Sequence, residues 1–121
     1  MRRFSLMLAL FSGIATGAIA QEATDTGTGA MLRGLDKLTG RARDIELRAG
    51  SMAQFGRIEV SLSECRYPEG EPASDAFAFV TVREAGRPVP AFRGWMVASS
   101  PALNAMDHQR YDVWVLRCTT S

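Results

Sequence analysis

A single histidine stands in the chain, His108, directly after Asp107 and a few residues beyond Ser99 and Ser100. Serine, imidazole and carboxylate are the groups of acyl-transfer hydrolysis, where a base deprotonates the nucleophile and a third group orients the base. That chemistry also needs the serine on a sharp turn beside oxyanion donors, and no G-x-S-x-G occurs here. Serines before Pro101 have a second use, because a hydroxyl there caps a helix start. The expectation is that Ser100 caps, His108 fixes a loop and Asp107 ties down the connection that follows. Hydrolysis by Ser99 or Ser100 with His108 is the alternative.

Met96, Met106, His108 and Met31 carry thioether and imidazole groups of the kind that suit copper. No His-x-His pair or M-x-x-M cluster accompanies them, and methionine fills cores well. Packing is expected, with a Met/His metal carrier as a further alternative. Glu69, Glu71 and Asp75 share one acidic stretch without EF-hand spacing and read as a solvated loop. Neither a cofactor nor a metal site is expected.

Trp95 and Trp114 can anchor a protein or glycan partner, or fill the core. Core packing is expected, since so small a domain needs its large side chains inside. Arg93, Trp95, Asn104 and His108 are the residues set aside for partner binding. Asn104 and Asp112 are expected to satisfy backbone groups around the last connection.

The two cysteines, Cys65 and Cys118, take their meaning from the amino terminus. Arg2 and Arg3 precede an apolar run from Phe4 to Ile14, and small residues follow, ending in Ala18-Ile19-Ala20. This is the pattern of a secretory signal peptide over 1–20, removed after Ala20. No cysteine at that junction suggests a lipid anchor, and no later stretch is long and apolar enough to cross a bilayer. In an oxidising compartment an even cysteine count predicts a structural disulfide. Without a C-x-x-C a redox or metal-ligating pair is disfavoured. In the chain-entropy account, closing such a long loop removes about 4 kcal/mol of unfolded-state freedom. The whole chain has 14 basic and 13 acidic residues; losing Arg2 and Arg3 leaves twelve basic ones and a net charge of −1. No strong field draws it to nucleic acid.

The elements that must position these groups are strands. Residues 21–29 (QEATDTGTG) are small and polar and read as a flexible leader, with one domain over 30–121. Short apolar segments then alternate with turn residues, predicting strands at Met31–Leu35, Asp44–Leu47, Ile58–Leu62, Ala76–Arg83, Ala91–Val97 and Tyr111–Cys118. Asp36–Gly40 is a turn in which Gly40 takes positive φ. Ile58, Val60 and Leu62 alternate with polar residues, so Cys65 falls on the wrong parity unless β-structure bulges near Glu64 or ends before it. Pro68 and Pro72 make Tyr67–Asp75 a loop. Ala76–Arg83 is apolar on both parities in its first half, as for a central strand covered on both sides. Pro88 and Pro90 delay the next strand to Ala91, and one short helical turn is expected over 101–106.

Specific stretches resemble a known family. Ala30–Gly40 (AMLRGLDKLTG), Phe55-Gly56, Phe92–Ala105 (FRGWMVASSPALNA) and Tyr111-Asp112-Val113-Trp114 ending at Cys118 are similar to the exported bacterial family called domain of unknown function 2155. Val97 and Gln109 depart from it, where an aromatic and a proline are expected. The resemblance implies export and a disulfide-compatible domain over about Ala30–Cys118, and brings no activity with it. Together these readings predict an all-β protein, a small antiparallel sandwich or barrel of six to seven strands closed by Cys65 and Cys118. The function expected is that of a periplasmic or secreted, non-enzymatic module engaging a protein of the cell envelope.

Overall fold

A computed structural model describes residues 23–121, so the segment read as a signal peptide lies outside the described residues. Eight strands follow: β1 (Thr24–Thr26), β2 (Gly29–Asp36), β3 (Arg41–Arg48), β4 (Met52–Phe55), β5 (Ile58–Pro68), β6 (Phe77–Glu84), β7 (Phe92–Val97) and β8 (Tyr111–Thr119). A 3-10 turn, Pro101–Asn104, interrupts the connection from β7 to β8. Every pairing is antiparallel. The all-β antiparallel class holds, with eight strands among the described residues rather than six or seven.

The strands form two sheets. In the first, β5 is the spine: β6 runs along one edge and carries β7, while β4 and β1 share the other edge, beside Ile58–Ser61 and Arg66–Pro68. The second sheet has the order β3-β2-β8. Their inward faces bury one core, with Ile58, Val60, Val80 and Val82 meeting Leu32, Tyr111 and Val115. That is a sandwich and not a barrel. Gly34 on β2 lets the sheets close, since Phe55 of β4 fills the space a side chain there would take.

Two bulges decide where the cysteines point. On β5 the pairing with β6 slips between Leu62 and Glu64, leaving Ser63 as the extra residue. On β8 the pairing with β2 slips between Val115 and Arg117, leaving Leu116 extra. Each slip reverses the side-chain parity beyond it, so Cys65 joins Ile58, Val60 and Leu62 inside, and Cys118 joins Tyr111, Val113 and Val115. The two sulfurs are bonded across the sandwich, joining the sheets through cysteines 53 positions apart in sequence.

Several sequence expectations need correcting. The leader is not free: Thr24–Thr26 pair with Arg66–Pro68, and Gly27 donates its N–H to the Cys65 carbonyl at 2.8 Å. A side chain at Gly27 would strike the Thr119 carbonyl and Cys118, so the chain enters beside the disulfide. Pro68 belongs to β5, where it sits at the strand end beside β1, and the loop begins at Glu69. Met52–Phe55, which has only four residues and one buried side chain, is a strand. β6 is central but not covered on both sides: Ala78, Val80 and Val82 are buried, whereas Phe77 and Phe79 stand half-buried on the outer face. Neither tryptophan is in the core. Trp95 and Trp114 both point outward, on opposite sheets.

Candidate functional site

At one end of the sandwich, four connections meet around His108. Its Nδ1 accepts the backbone N–H groups of Arg110 and Tyr111, each at 3.0 Å, and its Nε2 lies 3.2 Å from Glu84 Oε2. Two donors aimed at Nδ1 place the ring proton on Nε2, where it is donated to Glu84. This hydrogen bond holds the Glu84 carboxyl below its usual range, helped by the charges of Arg87 and Arg57. Lys37 Nζ donates to the His108 carbonyl at 2.6 Å. Arg110 forks onto both oxygens of Asp36, which also accepts the N–H groups of Leu38 and Thr39. That fork is the main reason the Asp36 carboxyl falls to about 2.

Buried Tyr111 closes the network, because its hydroxyl accepts the Arg57 N–H at 3.1 Å and its ring lies against Phe55 and His108. Gly56 makes that approach: it has φ +59°, and a Cβ there would collide with the Tyr111 hydroxyl. A cleft of about 330 Å³ borders the network, lined by Glu84, Arg87, Val89, Pro90, Asp107 and His108 among others. Asp107 itself is exposed and makes no hydrogen bond among the described residues; the connection is tied down by His108 and Lys37 instead.

The serines are held elsewhere. Ser99 donates its hydroxyl to Asp75 Oδ2 at 2.7 Å and its N–H to Oδ1 at 2.9 Å. Burial alone would raise the Asp75 carboxyl, but these bonds and one from Ala76 N–H lower it. Ser100 makes no side-chain cap; its carbonyl accepts Leu103 N–H at 3.0 Å, and Pro101 opens the turn. Both nitrogens of His108 are engaged by other partners, so the structure does not join Ser99 or Ser100 with His108 into a triad. Met96 and Met106 are buried in the core, while Met31 is half-buried on the outer face of the second sheet. Among the described residues no three His, Cys, Asp or Glu side chains gather as metal ligands. Glu69 and Glu71 are exposed, apart from the task Asp75 performs.

The remaining partner-binding candidates lie on and beside the outer face of the first sheet. Cross-strand register puts Trp95 opposite Phe79, Val97 opposite Phe77 and Arg93 opposite Thr81. Phe79 and Trp95 meet edge to face, with centroids 5.3 Å apart and planes at 77°, and the Arg93 guanidinium lies 5.7 Å over the Phe79 ring. Trp95 is 39% exposed. Asn104 holds the 3-10 turn against this strand, donating Nδ2–H to the Trp95 carbonyl at 2.8 Å; Gly94 leaves room for it. Asp112 accepts the Val113 N–H at 2.9 Å, the local backbone duty expected of it. The aromatic face was readable in part, since Phe77 and Phe79 show as apolar residues on the second parity of β6.

Trp114 stands beside a second cleft, of about 390 Å³, whose other walls are Pro101, Ala102, Ala105, Asp112 and Val113. Its charged group is Asp112, already engaged with the backbone.

The fold and these surfaces define a disulfide-joined antiparallel β-sandwich with an aromatic outer face. Residues 30–118 match the family described as "Uncharacterized protein conserved in bacteria (DUF2155)", and the chain belongs to it. It is also similar to the uncharacterized protein RP359 of Rickettsia prowazekii (strain Madrid E), 31% identical over 87 residues. That match covers 69% of this chain and 56% of the relative, so the chain spans little more than half the length of that protein. No solved structure matches the chain. Among the described residues no helix is long and apolar enough to cross a membrane.

Proposed function

We propose that the protein is an exported, non-enzymatic interaction module of the bacterial cell envelope, meeting a protein partner with the outer face of β6 and β7. One observation carries this reading. The Phe79–Trp95 pair, with Arg93 laid over it, stands outside the core of a domain small enough to need its aromatics inside. Trp and Arg are the side chains that most often anchor protein interfaces. A protein suits this face better than a glycan, because rings set at 77° offer no flat platform for a sugar. The polar groups support the same reading: Ser99, His108, Asn104 and Asp36 are each engaged in holding a connection in place. A disulfide between the sheets suits an oxidising compartment.

Site-specific photo-crosslinking in cells tests the reading. A photoreactive residue at Thr81, on this face, is expected to trap a recurrent protein product, and one at Glu46, exposed on the other sheet, is not. Scattered products of equal yield from both positions would overturn it.

A further inference from the structure

The outer face of the first sheet carries its charges in an order that a second copy of the chain can read. Reading across β5, β6 and β7, the rows are Arg66-Phe77-Val97, Glu64-Phe79-Trp95, Ser61-Thr81-Arg93 and, at the border, Glu59-Arg83. Arg93 forms no ion pair among the described residues, and neither does Glu59; Glu64 is bonded to Arg66 at 2.6 Å. We propose that this face pairs with its own copy about a twofold axis running along β6, forming an isologous dimer. The proposal rests on the reading of the face as a protein-binding surface and names its partner.

Such an axis keeps each row in place and exchanges the β5 and β7 borders. Phe77 and Phe79 then meet the same residues of the second copy along the axis. Arg93 lands on β5 of the other copy beside Ser61, with Glu59 one row to one side and Glu64 one row to the other. Rows on one face are about 7 Å apart, within reach of an arginine side chain. Trp95 settles over the paired Glu64 and Arg66, whose stems are apolar and whose guanidinium suits an indole face. The like charges that meet are those of Arg83 on the axis, at the border of the patch, each with Glu59 directly opposite in its own ladder.

The outer face of the second sheet lacks this order. Its central cation, Arg33, is already forked onto Asp44 at 2.7 and 3.2 Å, and its other cations, Arg48 and Arg117, stand in the rows of Gly29 and Met31. The aromatic face extends only about 20 Å along β6 and about 10 Å between the axes of β5 and β7. A patch below the standard interface size gives a reversible dimer of micromolar or weaker affinity.

Sedimentation equilibrium of the oxidised mature chain, from micromolar to millimolar concentration, tests the proposal. A monomer–dimer equilibrium is expected, abolished by Trp95→Ala and weakened at least about tenfold by Arg93→Glu. Glu59→Arg alone weakens it too, and combining it with Arg93→Glu recovers part of the loss, because the two side chains meet across the axis. All three residues are outward-facing, so thermal unfolding of the variants stays cooperative. A chain that is monomeric at every concentration, or a dimer indifferent to Trp95→Ala and Arg93→Glu, overturns the proposal. The crosslink at Thr81 separates the two failures. A product of twice the chain mass supports the dimer. A recurrent product with a different protein, from a chain monomeric in solution, removes the dimer and leaves the surface reading standing. Scattered products from a monomeric chain remove both.

Discussion

His108 shows how a residue with catalytic potential becomes an architectural one. An imidazole whose Nδ1 accepts two consecutive N–H groups is fixed in one tautomer and one orientation. Asp36 does comparable work on the other side of the same end, and its titration is visible from outside. Its carboxyl lies near 2 in the folded chain against an ordinary 3.8, chiefly through the Arg110 fork. A depressed carboxyl stabilises the fold above its unfolded value, and that contribution disappears as pH falls through the folded value. Urea midpoints of the wild-type chain should therefore fall between about pH 4 and pH 2. Asp36→Asn should lower the midpoint at neutral pH and flatten the slope in this window; an unchanged slope would remove Asp36 from the account. Gly34 gives a second residue-scale test. A Cβ there would lie 2.9 Å from Phe55 Cδ2, and that ring is boxed in by Tyr111 and Arg43. Gly34→Ala should cost about 1–3 kcal/mol of unfolding free energy, measured by urea denaturation.

At the scale of elements, the bulges do what the alternating pattern alone cannot. The wrong parity of Cys65 was legible as a demand for an irregularity near Glu64, and Ser63 supplies it. Its counterpart at Leu116 was not legible, because Val115, Leu116 and Cys118 are apolar on both parities. Deleting Ser63 removes the extra residue and leaves Leu62, Glu64 and Cys65 in simple alternation opposite Val80, Phe79 and Ala78, with Cys65 still inward. Alkylation and mass spectrometry of that variant should find a fully oxidised chain; two free thiols would contradict the role given to the bulge. The six strands with periodic apolar residues were readable, as was Gly40 in its left-handed turn at φ +76°. β1 and β4 were not, because a Thr-Asp-Thr segment and a four-residue strand with one buried side chain form only where β5 offers a free edge. β6 was placed correctly at the centre and its second face misread. Apolar residues on both parities signal burial on both faces only if a second layer exists, and here Phe77 and Phe79 are shielded by their neighbours on the same face. Of the site, Asn104 and Asp112 had the backbone duties their positions suggested. The Glu84–His108 and Asp36–Arg110 contacts had no signal in sequence, because they join connections 24 and 74 residues apart.

For the whole molecule, the staple between the sheets is a main source of stability, and it suits the oxidising compartment that the proposed export would reach. A domain of this size has little stability to spare, and losing such a bond typically costs about 2–5 kcal/mol. Replacing Cys65 and Cys118 together by serine should lower the thermal midpoint sharply in a reversible melt; a variant as stable as the parent would show that the core suffices. The partner reading depends on the same bond, because an envelope protein can be met only by a chain that leaves the cytosol and folds oxidised. Intact-mass measurement of the native protein, recovered from fractionated cells, is the most direct test. The account predicts a chain beginning at Gln21, outside the cytosol, two hydrogens lighter than its reduced form. A full-length chain with two free thiols in the cytosolic fraction would contradict it.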